Sequence, residues 1–189
     1  MTEVPAHLGG QNGRCWDDEG CLDWAIKTFD VKSMLDIGCG YGCQVKLARS
    51  KGLKSIGLEG DVTVFREDLQ EEIDFTKTKY VSEIKYDLIW SVEFLEHVEE
   101  KYIDNYIDAF KSGSYVICTH AQPGQAGHHH VNCKPKSYWI DLFAKHGLFY
   151  SEEFTNQMKE ASTMGKPFIK RNGLFFKQFV ASDSSSTTL

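Results

Sequence analysis

Seven consecutive residues, Asp36-Ile37-Gly38-Cys39-Gly40-Tyr41-Gly42, carry the densest chemical signal in the 189-residue chain. Alternating glycines permit a tight turn and a close backbone approach, and the helix expected after them presents free N–H groups to an anion. A dinucleotide fingerprint counted from Gly38 requires a final Gly or Ala where Cys43 stands, and an acid at Asp36 would repel a pyrophosphate. A nicotinamide-dependent oxidoreductase is therefore a disfavoured alternative. Asp36 suits instead a ligand with an ammonium beside a carboxylate, because its own carboxylate accepts charge-assisted hydrogen bonds. Methionine's amino-acid end has both groups. Glu59 closes the next apolar run, where a carboxylate can take bidentate hydrogen bonds from two ribose hydroxyls. Asp74 can bind an adenine amino group, and Phe75 can cover its ring.

A second group of reactive side chains lies further along. His120 opens a loop that runs through Pro123, Gly124 and Gly127 to His128-His129-His130-Val131-Asn132. Imidazoles there, with Glu93 upstream, could take a proton from a hydroxyl or ammonium acceptor. His128, His130 and Asn132 share one side if the segment is extended. Consecutive histidines in such a segment point to opposite faces, so all three cannot ligate one ion even if His97, Cys118 or Cys133 joined them. No metal is assigned on this reading.

The elements that must position these groups alternate. A helix is expected from Asp17-Asp18-Glu19 with Leu22, Ile26 and Phe29 on one face. The run Ser33–Ile37, the glycine loop and the stretch through Val45, Leu47 and Ala48 read as strand, loop and helix. Lys54–Glu59 reads as a strand, Val62–Glu72 as a surface helix and Ile73–Phe75 as a short strand. Tyr86–Val92 is apolar almost throughout, as a strand buried on both faces requires. A helix bearing Tyr102, Ile103, Tyr106, Ile107 and Phe110 leads to a strand at Ser114–Thr119. Pro135 opens a helix with Tyr138, Trp139, Leu142 and Phe143, and Leu148–Phe154 with Leu174–Val180 are expected to pair at the sheet edge. This pattern predicts an α/β fold with a mostly parallel sheet and ligands at the carboxyl ends of its strands.

In the Asp-x-Gly-x-Gly-x-Gly loop, the spaced Glu59 and the segment Trp90-Ser91-Val92-Glu93-Phe94-Leu95-Glu96-His97, the chain resembles the class I S-adenosylmethionine-dependent methyltransferase superfamily. The resemblance runs from about Ser33 to Gly147. It implies a Rossmann-like seven-stranded sheet ending in a C-terminal antiparallel hairpin. It also implies that S-adenosylmethionine is held at its methionine end by Asp36, Gly38 and Gly40, with Cys39 and Tyr41 in the same loop. Glu59 and Gly60 would meet the ribose and Asp74 and Phe75 the adenine, while Ser91, Val92 and Glu93 form the floor below the sulfonium. An N-terminal segment commonly closes over the cofactor in such proteins, and Trp16, Leu22 and Trp24 would supply an apolar cover.

Composition narrows the remaining choices. The chain is 41% hydrophobic and 25% charged, close to the globular average, so one ordinary core is expected over residues 1–181. Residues 1–32 form its N-terminal cap segment, and the Ser/Thr-rich 182–189 is read as a disordered tail. A formal charge of −6 supplies no overall attraction for nucleic acid or anionic membranes. Lys166, Lys170 and Arg171, and separately Lys134 and Lys136, are read as solvated faces. A small molecule or sugar is the expected acceptor, ahead of a protein side chain, with nucleic acid last. Without a signal-like start or a membrane-length apolar run, a cytoplasmic location is expected, and the six cysteines are read as reduced thiols. A non-catalytic S-adenosylmethionine-binding protein is the second alternative, and oligomeric state is left open.

Overall fold

The apolar runs become the inner strands of a seven-stranded sheet in the computed structural model, which describes residues 5–10 and 13–179. The strands are β1 (Ser33–Ile37), β2 (Lys54–Glu59), β3 (Gln70–Glu72), β4 (Tyr86–Ser91), β5 (Gly113–Thr119), β6 (Leu148–Tyr150) and β7 (Gly173–Gln178). Their order is β3-β2-β1-β4-β5-β7-β6, with β1 to β5 parallel and β7 antiparallel to both of its neighbours. Strand order reverses between β1 and β4, and ligands of such sheets sit outside the carboxyl ends at that point.

Alternation along the strands divides the core in two. Leu35, Ile89 and Phe176 face one cluster with Tyr106, Phe110 and Trp139, whereas their neighbours Met34, Leu88 and Phe175 face another with Leu22, Trp90 and Ile117. The first cluster is covered by α3 (Ile103–Lys111) and α4 (Lys136–Lys145). The second is covered by α1 (Glu19–Phe29), α5 (Glu152–Ala161) and α6 (Phe168–Asn172), while α2 (Cys43–Ser50) packs on β1 and β2.

Asp18 fastens several of these pieces together. It caps α1 by accepting from the Cys21 amide at 3.0 Å, and also accepts from the Thr163 amide at 2.8 Å and from the Ser162 hydroxyl. Its own amide donates to Gln44 Oε1 in α2 at 2.8 Å.

Four expectations are corrected. Val62–Glu72 is not a helix: Asp61 accepts from both the amide and hydroxyl of Thr63, which starts a turn, and the segment ends as β3 alongside Gly57–Glu59. That places the third strand at Gln70–Glu72 and leaves Ile73–Phe75 in the loop after it. The strand from Leu148 stops at Tyr150, because the Ser151 hydroxyl accepts from the Phe154 amide and opens α5. The final antiparallel pair forms at the sheet edge as expected, its strands β6 and β7 joined through α5 and α6. Lastly, Cys15 and Cys43 are joined as a disulfide with Cα atoms 5.8 Å apart, tying the N-terminal segment to the start of α2. Nothing in the spacing of those two cysteines signalled that proximity. The expected tail at 182–189 lies outside the described residues, and no helix among the described residues is long and apolar enough to cross a membrane.

Candidate active site

The chain leaves β1 through three residues of positive φ, Gly38 (74°), Gly40 (54°) and Gly42 (70°), which only glycine adopts without strain. At Gly38 a side chain would also fail for space, since a Cβ atom would lie 2.7 Å from the Phe94 ring. The turn is secured from β2, where Leu58 O accepts from the amides of Gly38 and Cys39 at 2.9 and 3.1 Å. The Gln70 side-chain amide donates to Gly40 O and approaches Cys39 Sγ at 3.1 Å.

Glu59 closes the same turn from the end of β2. Its carboxylate accepts from the amides of Gly40 (2.7 Å), Gly60 (2.9 Å) and Asp61 (2.8 Å). Burial raises the Glu59 carboxyl despite these donors, and burial with the neighbouring Glu59 charge raises Asp36 well above the aspartate range. A ligand bringing an ammonium group and hydroxyl donors would offset both effects, so the pair fits the methionine and ribose ends of the expected cofactor.

These residues line a cavity of about 440 Å³ with Tyr41, Gly60, Asp74, Phe75, Val92 and Glu93. Ser91 does not line it. That buried hydroxyl donates to Ile37 O at 3.1 Å, tying β4 to β1 beneath the floor. Phe75 packs edge-on against Phe94 with ring centroids 5.4 Å apart.

An N-terminal strap completes the wall. Trp16 lines the cavity as expected, but Trp24 packs on Phe29 and Phe175, and Leu22 is fully buried in the core. His7, Leu8 and Arg14 contribute instead, although the polar, glycine-rich start of the chain carries no periodicity that would reveal it. His7 Nε2 lies 3.0 Å from Asp74 Oδ2, a carboxylate that also meets Thr76 and Lys77.

Burial raises the Asp74 carboxyl, but the hydrogen bonds from Thr76, His7 and Lys77 outweigh it and leave the group below the usual aspartate range. A depressed folded-state value means that the stabilising contribution is present above 3.8 and is lost as pH falls through the folded value. Carboxyl-resolved NMR titration is expected to place the Asp74 midpoint below 3.8, and in His7→Ala the midpoint should move upward. An unmoved midpoint would deny the strap contact.

Glu93, His97, His128 and His130 line the same cavity, whereas His120 does not. His120 is buried with Nδ1 3.2 Å from Lys134 O, and burial lowers it. Asn132 is likewise buried and structural, donating from Nδ2 to Val98 O at 3.0 Å. The segment is not extended, for residues 128–129 form a turn with His129 at φ 45°. The amides of Val131 and Asn132 both donate to Glu96 O at 2.9 and 3.0 Å, which fastens the loop to the single helical turn Leu95–His97.

Glu93 adopts φ 56°, unusual for a residue with a side chain, and its amide donates to Thr119 Oγ1 at 2.8 Å. Burial pushes the Glu93 and Glu96 carboxyls up, and burial followed by the neighbouring His130 pushes His97 down to about 4.

The sequence matches the family described as "Methyltransferase domain" over residues 20–162, most of the chain. The chain belongs to this methyltransferase family. Its fold is the Rossmann-like one of the class I S-adenosylmethionine-dependent superfamily. A sugar N-methyltransferase, KedS8 from Streptoalloteichus, is similar at 10% identity over 86% of this chain and 88% of its own, with a TM-score of 0.62. A TehB-like SAM-dependent methyltransferase from Corynebacterium glutamicum is similar at 16% identity over 85% and 88%, TM-score 0.61. Magnesium protoporphyrin IX methyltransferase from Synechocystis, solved with S-adenosylhomocysteine bound, matches at 12% identity over 82% and 78%, TM-score 0.56. At these identities the likeness is one of fold. No curated protein sequence matches the methyltransferase.

Proposed function

We propose that this methyltransferase methylates a small molecule or sugar, which enters the cavity beside Glu93, His128 and His130. When bound, S-adenosylmethionine supplies an electrophilic methyl group on a sulfonium. Asp36 and the Gly38–Gly42 backbone hold the amino-acid end, with Cys39 and Tyr41 beside it. Glu59 and Gly60 meet the ribose, Asp74 and Phe75 meet the adenine, and Val92 and Glu93 lie under the reacting centre. Ser91 acts as a positioning residue through its bond to β1. Leu8 and Trp16 of the strap exclude water from the cavity.

Alignment of acceptor and methyl group carries most of such a transfer, an effect worth up to about 7–11 kcal/mol. A hydroxyl or ammonium acceptor must also release a proton, and the exposure of His128 at the cavity edge supports assigning it as the base. The observation that carries this reading is one continuous cavity. It joins the glycine loop and Glu59 to the Glu93 and His130 side. The acidic net charge and the sugar and porphyrin methyltransferases of similar fold support a small acceptor over a polyanion.

Calorimetric titration with S-adenosylmethionine, S-adenosylhomocysteine and NADH tests the cofactor. Both sulfur compounds are expected to bind one per chain, and NADH not at all. Binding of NADH alone, or of none of the three, overturns the reading.

A further inference from the structure

Glu93, Glu96, His97 and His130 bring one ligand atom each to within 4.8 Å of the others. Donors about 2.0–2.2 Å from one ion stand at most ~4.4 Å apart across it, so a contraction of a few tenths of an ångström closes the set. A second observation is independent of that spacing. Glu96 is fully buried, and neither of its carboxylate oxygens has a hydrogen-bond partner. An uncompensated carboxylate is among the costliest groups to bury, and a cation among these side chains would supply what the protein does not.

The surroundings are built to aim the set. Glu93 is turned by its left-handed backbone and held by Thr119, and Glu96 and His97 share one helical turn. His130 Nδ1 lies 2.9 Å from Gln125 O. A carbonyl only accepts, so Nδ1 carries the proton and Nε2 keeps the lone pair, the arrangement by which ligating imidazoles are oriented. Gly127 has no room for a Cβ atom beside this imidazole. The ring of His97 meets that of His130 edge-on at 5.0 Å.

We propose that Glu93, Glu96, His97 and His130 form a site for one divalent first-row transition ion on the acceptor side of the cavity, where the ion also takes an oxygen of the acceptor. Two carboxylates with two imidazoles suit manganese through zinc, whereas magnesium and calcium favour all-oxygen surroundings. Glu93, His97 and His130 all face the cavity, so coordination positions beyond the protein's ligands open towards the acceptor. A hydroxyl there is acidified by the ion. Its O–H bond releases the proton to His128, the oxygen forms the new O–CH3 bond, and the electron pair of the breaking S–CH3 bond stays on sulfur as a neutral thioether. The metal site stands without the methyl-transfer reading; the assignment of an oxygen acceptor rests on it.

The experiment uses full-length, tag-free protein stripped with EDTA and titrated calorimetrically with Mn²⁺ and Co²⁺, with S-adenosylhomocysteine titrated separately. One ion per chain is expected, weakened about 30-fold or more in Glu96→Gln and in His97→Ala. S-adenosylhomocysteine binding should persist in both variants, which shows them folded and separates a failure of the metal site from a failure of the cofactor site. His129→Asn is expected to leave metal affinity unchanged. No binding by the folded wild type, no loss in Glu96→Gln, or an equal loss in His129→Asn would overturn the site, the last by moving the ion to the histidine run. Acetohydroxamate, a bidentate oxygen ligand, should then shift the visible bands of the cobalt form; unshifted bands would overturn the acceptor-oxygen assignment.

Discussion

Replacing Glu59 with alanine is expected to weaken S-adenosylhomocysteine binding by about 100-fold or more, roughly 3 kcal/mol. Two losses combine. On the proposed binding mode the ribose loses an acceptor whose charge-assisted hydrogen bonds are worth about 1.5–3 kcal/mol each, and the amides of Gly40, Gly60 and Asp61 lose the oxygen atoms that hold the turn. Because Gly40 belongs to the loop proposed to hold the amino-acid end, the damage should reach both halves of the cofactor. Glu59→Gln separates the contributions, for its amide oxygen can still accept from Gly40 or from one hydroxyl while its nitrogen cannot accept at all. A loss of about 10-fold is expected there. Calorimetry alongside thermal melting checks both variants. Wild-type affinity in a folded Glu59→Ala protein would remove Glu59 from the cofactor site.

Local chemistry made some of this legible in the sequence. The glycine loop, Glu59 and the central strand at Tyr86 are readable because each depends on neighbours a few residues away, through turn geometry or alternation. The same reasoning failed at Val62–Glu72, where the Asp61–Thr63 turn and pairing with β2 prevailed over an amphipathic pattern. At Ser151-Glu152-Glu153 the signal was present, a capping hydroxyl followed by acids in the first turn, but the apolar run through Phe154 read as strand. His120 and Ser91 occupy strand ends as expected, yet their side chains turn away from the cavity to satisfy carbonyl groups. The meeting of His130 with Glu93, Glu96 and His97 was beyond local reading. It depends on the bonds from Val131 and Asn132 to Glu96 O, which join segments far apart in the chain.

Asp18→Ala is expected to cost about 3–5 kcal/mol of stability, more than any ordinary helix cap. A cap of this kind is worth about 1 kcal/mol at an exposed helix end. Here the carboxylate is fully buried and also serves the Thr163 amide and Ser162 hydroxyl, so alanine strands three donors, each costing about 1–3 kcal/mol with incomplete additivity. For a chain of this length the melting temperature should fall by roughly 6–20 °C. Asp18→Asn keeps an acceptor oxygen for Cys21 and Thr163, and its amide can donate to Ser162 Oγ, so a loss near 1 kcal/mol is expected. A melting temperature within a degree of wild type for the alanine variant would contradict the network. The consequence extends to the cofactor, because Trp16 and Arg14 in the cavity wall lie just before Asp18, and Gln44, which accepts from the Asp18 amide, lines the same cavity. Loosening Asp18 should therefore weaken S-adenosylhomocysteine binding in Asp18→Ala more than in Asp18→Asn, linking the first helix of the core to the wall of the active site.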